Sequence, residues 1–226
     1  TLMRSSAASD VYKRQITYGG DRGTERNKVY INGREIKLHG LCHHDVSHLY
    51  GRSLSREEID YEILTYKQHN INHIRTSHYP ASDYFLEVCD RLGIYVEQEN
   101  AACFKGDNGF GIYNPPQDFL AGFAEMIEGA RNHPSVIIWS LANESSFEKT
   151  YAFRAEYRYV KDVDRTRPVI FSYPRTVRTK PLPYDIFSWH YQKVTGRLGS
   201  HKMPVLHDEF AHVSCYNIEN LKEENS

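Results

Sequence analysis

The sequence lacks several features that mark other classes of protein. It has no run of the roughly 20 apolar residues that span a bilayer, and its 28 basic and 29 acidic residues leave a net charge of only -1. Because no basic run stands out, we predict neither a nucleic acid nor a membrane as a partner. The four cysteines form no CxxC pair, which argues against a zinc or redox motif.

Two further motifs are missing. The first 15 residues, "TLMRSSAASDVYKRQ", contain no apolar stretch of the kind found in a signal peptide. They also show no periodicity, so no folded element is predicted in them. No G-x-G-x-x-G sequence follows the first predicted strand, which weighs against a dinucleotide-binding fold.

The rest of the chain alternates between strand and helix patterns. Asn32-Gly33 between two apolar runs predicts a β-hairpin, a capping box begins a helix at Ser55, and Ser82 and Gly93 bound another helix. Strand patterns occur at 36–42, 71–77, 94–99, 135–144, 168–173, 185–191 and 204–210. Strands that alternate with helices indicate a parallel sheet. We therefore predict an α/β fold, an incomplete (β/α)8 TIM barrel with about seven strands.

Two acidic residues follow buried strands of this predicted barrel. "VIIWSLANE" ends in Glu144, and "PVLHDEF" contains Glu209. Active sites of such barrels lie at the C-terminal ends of the strands, where two carboxylates fit the acid and the nucleophile of glycoside hydrolysis. The alternatives are structural: Glu144 could stabilise the N-terminus of the next helix, and Glu209 could be a buried ion-pair partner.

A metal-dependent hydrolase is the rival enzyme class, since the chain has 12 histidines. A barrel metal site of that kind needs two histidines on one face of a strand. His43 and His44 are adjacent, so on a strand they point in opposite directions. Regular alternation puts His207 and Glu209 on one face, which supplies only two ligands. We predict no catalytic metal.

Five segments resemble the barrel domain of family 2 glycoside hydrolases. They are "LHGLCHHD", "RTSHYP", "CDRLGIYVEQE", "NHPSVIIWSLANES" and "PVLHDEFAH", within residues 28–217. The family includes β-galactosidases, β-glucuronidases and β-mannosidases, and its members carry β-sandwich domains before the barrel. The resemblance implies that 1–27 is a disordered lead or foreign or linker sequence with the end of a preceding β-sandwich. It also implies that 28–226 is a barrel domain truncated before strand eight.

The resemblance assigns roles residue by residue. Glu144 matches the general acid/base, and Glu209 matches the nucleophile of a retaining mechanism, which implies a carboxyl separation of about 5–5.5 Å. The matches expected to bind the substrate or to hold the nucleophile are Asn143, His44, His78, Tyr191 and Arg75. Some relatives bind magnesium just after strand three, but here Cys103 and Lys105 stand about where those ligands would fall. We therefore expect no cofactor.

The expected partner is a carbohydrate substrate, and any oligomer would form through domains outside this sequence. "HDEFAH" favours a β-galactosidase, with β-glucuronidase or β-mannosidase as alternatives in the same family. A barrel that binds carbohydrate without hydrolysing it is the non-enzyme alternative. A barrel without an eighth strand has open edges, so residues 1–226 alone are predicted to have weak or no activity.

Overall fold

The structure is a computed structural model, and it describes residues 16–18, 28–105, 116–146, 152–174, 180–191 and 203–210. The remaining segments include part of the predicted lead, so the predicted boundary between residues 27 and 28 stays a prediction. Among the helices in the described part of the chain, none combines the length and the apolar character needed to cross a lipid bilayer.

A small antiparallel sheet precedes the main sheet. It consists of β1 (Ile16–Tyr18), β2 (Val29–Ile31) and β3 (Arg34–Ile36), in that order. Asn32 and Gly33 connect β2 to β3 with positive φ angles of 51° and 75°, as a tight hairpin turn of the mirror-image type requires. The hairpin predicted from Asn32-Gly33 is confirmed.

The main sheet is parallel and has five strands in sequence order. They are β4 (Gly40–His43), β5 (His73–Thr76), β6 (Tyr95–Glu99), β7 (Val136–Asn143) and β8 (Val169–Ser172). Two more strands, β9 (Phe187–His190) and β10 (Val205–Glu209), form a parallel pair. A single parallel bridge between Ile170 and Ile186 connects β8 to the start of β9. The seven predicted strands are thereby confirmed.

The two ends of this array approach each other. The Cys42 thiol on β4 donates a hydrogen bond of 3.1 Å to the backbone carbonyl of Asp208 on β10. Among the described residues, no backbone ladder joins β4 to β10. The architecture is therefore a TIM barrel that is incomplete between its first and its seventh strand.

Within the described residues, four helices accompany the strands: α1 (Arg56–Gln68), α2 (Asp83–Leu92), α3 (Pro116–Ala130) and α4 (Ala152–Val163). The predicted capping box is present, because Ser55 Oγ accepts from the Glu58 amide and Glu58 Oε2 accepts from the Ser55 amide. Gly93 ends α2 with a φ angle of 65°, the left-handed conformation that favours glycine.

The core explains which end of the barrel is free for a site. Every residue of β7 is buried, and aromatic side chains fill the layer between sheet and helices, namely Phe85, Phe123, Trp139, Phe153 and Phe171. Ile16 and Ile31 of the small sheet share a second buried cluster with Ile138 and Ile170. The small sheet thus covers the side where the strands begin and leaves their C-terminal ends open.

Gly40 on β4 lies so close to His73 on β5 that a side chain does not fit there. A Cβ atom there would lie 2.6 Å from His73 Nδ1 and 2.8 Å from the His73 carbonyl oxygen. Replacing Gly40 with Ala should destabilise the domain by about 1–3 kcal/mol, because the backbone of β5 cannot move without breaking its pairing. Urea denaturation measures the change.

Gly122→Ala is the matched control, since a Cβ at Gly122 on the exposed face of α3 meets nothing within 4 Å. Alanine is the better helix former by about 1 kcal/mol, so this variant should be as stable as the parent or more stable. Equal stability of both alanine variants would contradict the close packing of β4 on β5.

Candidate active site

Glu209 lies at the end of β10 with two hydrogen-bond donors on its carboxylate. Arg75 Nη1 donates to Oε1 at 2.7 Å, and the Tyr191 hydroxyl donates to Oε2. Burial raises the pKa of Glu209, but the hydrogen bonds from Tyr191 and Arg75 outweigh burial and leave the pKa below its usual value. The carboxylate is therefore held in its ionised form, which is the form that can attack an electrophile.

Arg75, on β5, is the charged centre of the site. Its side chain is 1% exposed, and it reaches three strands: Nε donates to Glu99 Oε2 at 2.8 Å, Nη1 to Glu209, and Nη2 to Asn143 Oδ1 at 2.7 Å. Burial lowers the pKa of Arg75, but the charges of Glu99 and Asp208 raise it well above its usual value. The guanidinium therefore stays charged and orients all three partners.

Glu144 follows directly after β7, where the chain turns with a φ angle of 40°. Its amide donates to the Ser172 carbonyl at 2.8 Å, and its Oε1 lies 2.8 Å from His190 Nδ1. One carboxylate oxygen of Glu144 and one of Glu209 lie within 4.8 Å of each other. Residues 65 positions apart, at the ends of β7 and β10, thus converge on one point.

The two predicted histidines form a second side of the site. His78 Nδ1 lies 2.8 Å from Glu99 Oε1 and 3.3 Å from Arg75 Nη2. The His44 ring packs edge-on against the His78 ring, with centroids 5.5 Å apart. Burial lowers the pKa of His44, as does the neighbouring His78. A neutral His44 can both donate and accept hydrogen bonds from sugar hydroxyls.

A cleft with a volume of about 690 Å³ follows the gap between β4 and β10. Its lining includes His44, Arg75, His78 and Glu209, but also Leu38 near the start of β4. The cleft therefore runs along the whole gap, and only its end at Glu209 coincides with the site. Of the predicted site residues, Asn143, Glu144 and Tyr191 complete the site from the neighbouring strands β7 and β9.

The sequence places several more polar residues at strand ends without deciding a role for them, and the structure brings them to this site. Glu99 binds both Arg75 and His78, and Glu97 lies on the same face of β6, as its position two residues earlier could have indicated. Glu97 is fully buried, and among the described residues neither of its oxygens has a hydrogen-bond partner. Burial, followed by the charge of Asp208, raises the pKa of Glu97 well above its usual value.

His190 and Asp208 are two further strand-end residues without a predicted role, and β10 departs from regular alternation where Asp208 lies. The register shifts between Leu206 and Glu209, where β10 uses one residue more than β9. Such a bulge lets neighbouring residues face the same side. Asp208 and Glu209 both reach the His190 ring, at 3.5 Å and 3.7 Å. Regular alternation therefore does not hold between Asp208 and Glu209, and the shared face of His207 and Glu209 stays a prediction.

The donor atoms of Glu144, His190 and Glu209 lie close enough together to be considered for a metal ion. In this structure they are engaged elsewhere, since His190 Nδ1 faces Glu144 and the Glu209 oxygens accept from Arg75 and Tyr191. Magnesium prefers oxygen ligands. Cys103 supplies a thiol that accepts from Asn143 Nδ2 at 3.3 Å, and Lys105 supplies a cation. These two residues do not fit the magnesium site found in some relatives.

Comparison with known proteins gives several relatives. Beta-galactosidase BgaC of Bifidobacterium adolescentis is 37% identical over 157 residues, which cover 64% of this chain and 15% of that protein. Beta-galactosidase of Yersinia pseudotuberculosis is 32% identical over 201 residues, or 80% of this chain and 18% of that protein. The chain therefore spans less than a fifth of the length of these curated relatives.

Solved structures agree with the sequence comparison. A b-glucuronidase from Ruminococcus gnavus superimposes with a TM-score of 0.62 at 27% identity, covering 71% of this chain and 27% of that one. The sequence model of the glycosyl hydrolases family 2 TIM barrel domain matches residues 23–212, which is most of the chain. The protein described here is thus a member of glycosyl hydrolase family 2 and contains part of its TIM barrel domain.

Proposed function

We propose that this chain carries the catalytic centre of a retaining β-glycosidase, most specifically a β-galactosidase. The observation that supports this proposal is the approach of Glu144 and Glu209 to within 4.8 Å. Retaining glycosidases place their two carboxyl groups at about 5–5.5 Å, whereas inverting enzymes leave about 6.5–9.5 Å for a water molecule. The approach of the two carboxylate oxygens favours the shorter spacing of the retaining mechanism.

In the proposed mechanism the two carboxyl groups act in turn. Glu209, ionised beside Arg75, attacks the anomeric carbon, while protonated Glu144 gives its proton to the departing oxygen. The glycosidic C–O bond breaks, and a covalent ester to Glu209 forms. Glu144, now ionised, removes a proton from water, which attacks the anomeric carbon and releases the sugar with retained configuration. Glu209 returns to its ionised form.

Three further residues are proposed to bind the sugar that is cleaved. Asn143 is proposed to bind the 2-hydroxyl group, because Arg75 Nη2 fixes its Oδ1 and its position directly before Glu144 puts it beside the reacting bond. His44 and His78 line the cleft next to Glu209, so their ring nitrogens are proposed to bind other hydroxyl groups. Tyr191 is proposed to hold the nucleophile through the hydrogen bond that it donates to Glu209.

The choice of sugar rests on sequence and on relatives. Galactose is favoured by "HDEFAH" and by the two β-galactosidases among the relatives. The Ruminococcus gnavus structure, a b-glucuronidase, keeps β-glucuronide as the second candidate, and β-mannoside is the third within the family. Carbohydrate binding without hydrolysis remains the alternative outside enzyme catalysis.

A substrate panel tests the proposal. The protein, with any residues that its gene encodes on either side of this chain, is assayed on the 4-nitrophenyl β-galactoside, β-glucuronide and β-mannoside. We expect hydrolysis of the β-galactoside, with the β-anomer of galactose as the first product in a proton NMR time course. Hydrolysis of the β-glucuronide alone would replace galactose with glucuronic acid as the proposed sugar. The α-anomer as first product would overturn the retaining mechanism. Binding without hydrolysis of any of the three would favour the non-enzyme alternative.

A further inference from the structure

His190, a residue to which no role has yet been assigned, lies between the proposed acid/base and a buried carboxylate. Its side chain is 1% exposed, and its Nδ1 faces Glu144 Oε1 at 2.8 Å. The Tyr173 ring stacks on the imidazole, with centroids 4.9 Å apart and planes 14° from parallel. The imidazole is therefore held in one plane, and its two nitrogens have fixed partners.

The partners of Nε2 determine that this nitrogen carries a hydrogen. Ser172 Oγ lies 3.0 Å from Nε2, and its single proton faces two acceptors, Asp208 Oδ2 at 2.7 Å and Asn143 Oδ1 at 3.3 Å. Ser172 Oγ therefore accepts from Nε2. Asp208 Oδ1, 3.5 Å from Nε2, is also an acceptor and is held by Ser188 Oγ at 2.6 Å. Every neighbour of Nε2 is an acceptor, and Nε2 must be the donor.

The same accounting applies to Nδ1. If Nδ1 and Glu144 Oε1 both lacked a hydrogen, two lone pairs would face each other at 2.8 Å, which is a hydrogen-bond distance. One proton therefore lies between them, on the carboxyl group or on the ring. Asp208, through Ser172, fixes the tautomer that makes this arrangement possible, as a carboxylate does for many functional histidines.

We propose that His190 and Asp208 are positioning residues for the proposed acid/base: His190 shares the catalytic proton with Glu144, and Asp208 orients and charges the ring. This inference rests on the proposed function of Glu144. In the first step the shared proton moves to the glycosidic oxygen, and the electrons of the breaking C–O bond stay on that oxygen. In the second step the proton taken from water returns to the pair of Glu144 and His190, so the cycle closes without another reactant.

The charges around the ring determine how the shared proton responds to pH. Glu144 faces the imidazole from the end of β7, Asp208 and Glu209 face it from β10, and Tyr191 is next to it on β9. Burial lowers the pKa of His190, but the hydrogen bond and charge of Asp208, together with Glu144, raise it above its usual value. The pair therefore keeps its proton to higher pH than it would without Asp208.

The first test varies the leaving group, because a shared catalytic proton matters only where the departing oxygen needs protonation. His190→Phe preserves the stacking on Tyr173 but removes both nitrogens. With the phenyl glycoside of the sugar identified by the panel, kcat/KM should fall by about 10–100-fold, less than the roughly 10²–10⁴-fold of a general acid itself because Glu144 is still present. With the 2,4-dinitrophenyl glycoside, whose leaving group needs little protonation, the loss should be at least tenfold smaller.

The second test uses Asp208→Asn, which has the same shape as the parent side chain. Because the amide no longer raises the pKa of His190, the basic limb of the kcat/KM profile with the phenyl glycoside should move to lower pH. A merely structural role would lower the profile without moving this limb. Should His190→Phe fail to fold, as judged by circular dichroism, the Asp208→Asn profile decides the matter.

Glu144→Ala separates failure of this inference from failure of the proposed function. If the proposed function holds, this variant loses activity on the phenyl glycoside far more than on the dinitrophenyl glycoside. Suppose that Glu144→Ala shows this dependence on the leaving group. If His190→Phe then loses activity equally on both glycosides, and the basic limb of the Asp208→Asn profile does not move, the inference alone is overturned. If Glu144→Ala itself shows no dependence on the leaving group, the acid/base assignment and this inference both fail.

Discussion

Replacing Glu209 with Gln should lower kcat for an aryl β-glycoside by about 10⁴-fold or more, because an amide cannot form the covalent intermediate. The side chain keeps its shape, and its amide oxygen can still accept from Arg75 Nη1, so the fold should be preserved. The proposed reaction has no second carboxylate placed to take over the attack, since Glu144 is needed to protonate the leaving group. Steady-state rates of the purified variant and parent provide the comparison.

Glu87→Gln is the matched control for Glu209→Gln. It is the same chemical change at an exposed position on α2, and it should leave the rate within twofold of the parent.

A 2-deoxy-2-fluoro glycoside with an activated leaving group should label the parent protein on the peptide that contains Glu209, because the fluorine slows the second step more than the activated first step. Retained turnover in Glu209→Gln, or a label on another carboxylate, would remove the nucleophile assignment.

Replacing Arg75 with Met should destabilise the domain by about 3–5 kcal/mol, the cost of leaving buried charges without their partner. Glu99 and Glu209 would lose a direct ion pair, and Asp208 would lose a nearby positive charge. Methionine fills a similar volume, so packing contributes little to the loss. Activity should fall as well, since the pKa of Glu209 would rise when Arg75 is gone and Asn143 would lose the donor that orients it.

The effect of Arg75→Met should depend on pH in a defined direction. The pKa values of Asp208 and Glu209 lie below their ordinary values of 3.8 and 4.5 in the folded protein. The stabilisation that depends on their ionisation is therefore present above those ordinary values and is lost as pH falls through the depressed ones. The stability difference between parent and variant should be largest at about pH 7 and should shrink below about pH 4.

Arg91→Met is the control for the loss of an arginine. Arg91 on α2 pairs with Asp60 at 2.9 Å, but its side chain is 57% exposed, and exposed pairs contribute about 1 kcal/mol or less. Chemical denaturation of the parent, Arg75→Met and Arg91→Met measures the free energy of unfolding of each protein at about pH 7 and below about pH 4. A loss for Arg75→Met no larger than that for Arg91→Met, or one that grows on acidification, would contradict the account of the buried charge centre.

Much of the fold could be predicted because its signals are local. Helix α1 begins at the capping box of Ser55 and Glu58, and α2 begins at Ser82 and ends at Gly93. The hairpin turns at Asn32 and Gly33. Each of these signals acts through contacts within a few residues. The apolar run that leads to Glu144 has no polar side, as a strand buried on both faces requires. Because parallel strands end on the same side, Glu144 and Glu209 could be predicted as a pair without coordinates.

The missed residues of the site have no local signal of that kind. Asp208 lies in the predicted strand 204–210, but regular alternation directs it away from Glu209, and only the bulge in β10 brings both to His190. Glu97 looks like an ordinary strand residue in the sequence, and only the structure shows that it is fully buried and that its oxygens have no hydrogen-bond partner among the described residues. Pairing register is determined between strands, so one strand read alone does not reveal a bulge.

By itself, the sequence determined the order of the strands and helices, the end of the barrel where polar side chains collect, and the family. The order of the elements follows from hydrophobic period, caps and turns, which act over a few residues, and the polar end follows from the parallel strands. The family follows from the five segments that resemble it. Only the tertiary structure decided the distance between Glu144 and Glu209, the three-way contact of Arg75, and the approach of His190 Nδ1 to Glu144 Oε1. Those features join residues from different strands. Their geometry depends on strand register, on burial and on which donors and acceptors meet, and no single segment of the sequence determines these.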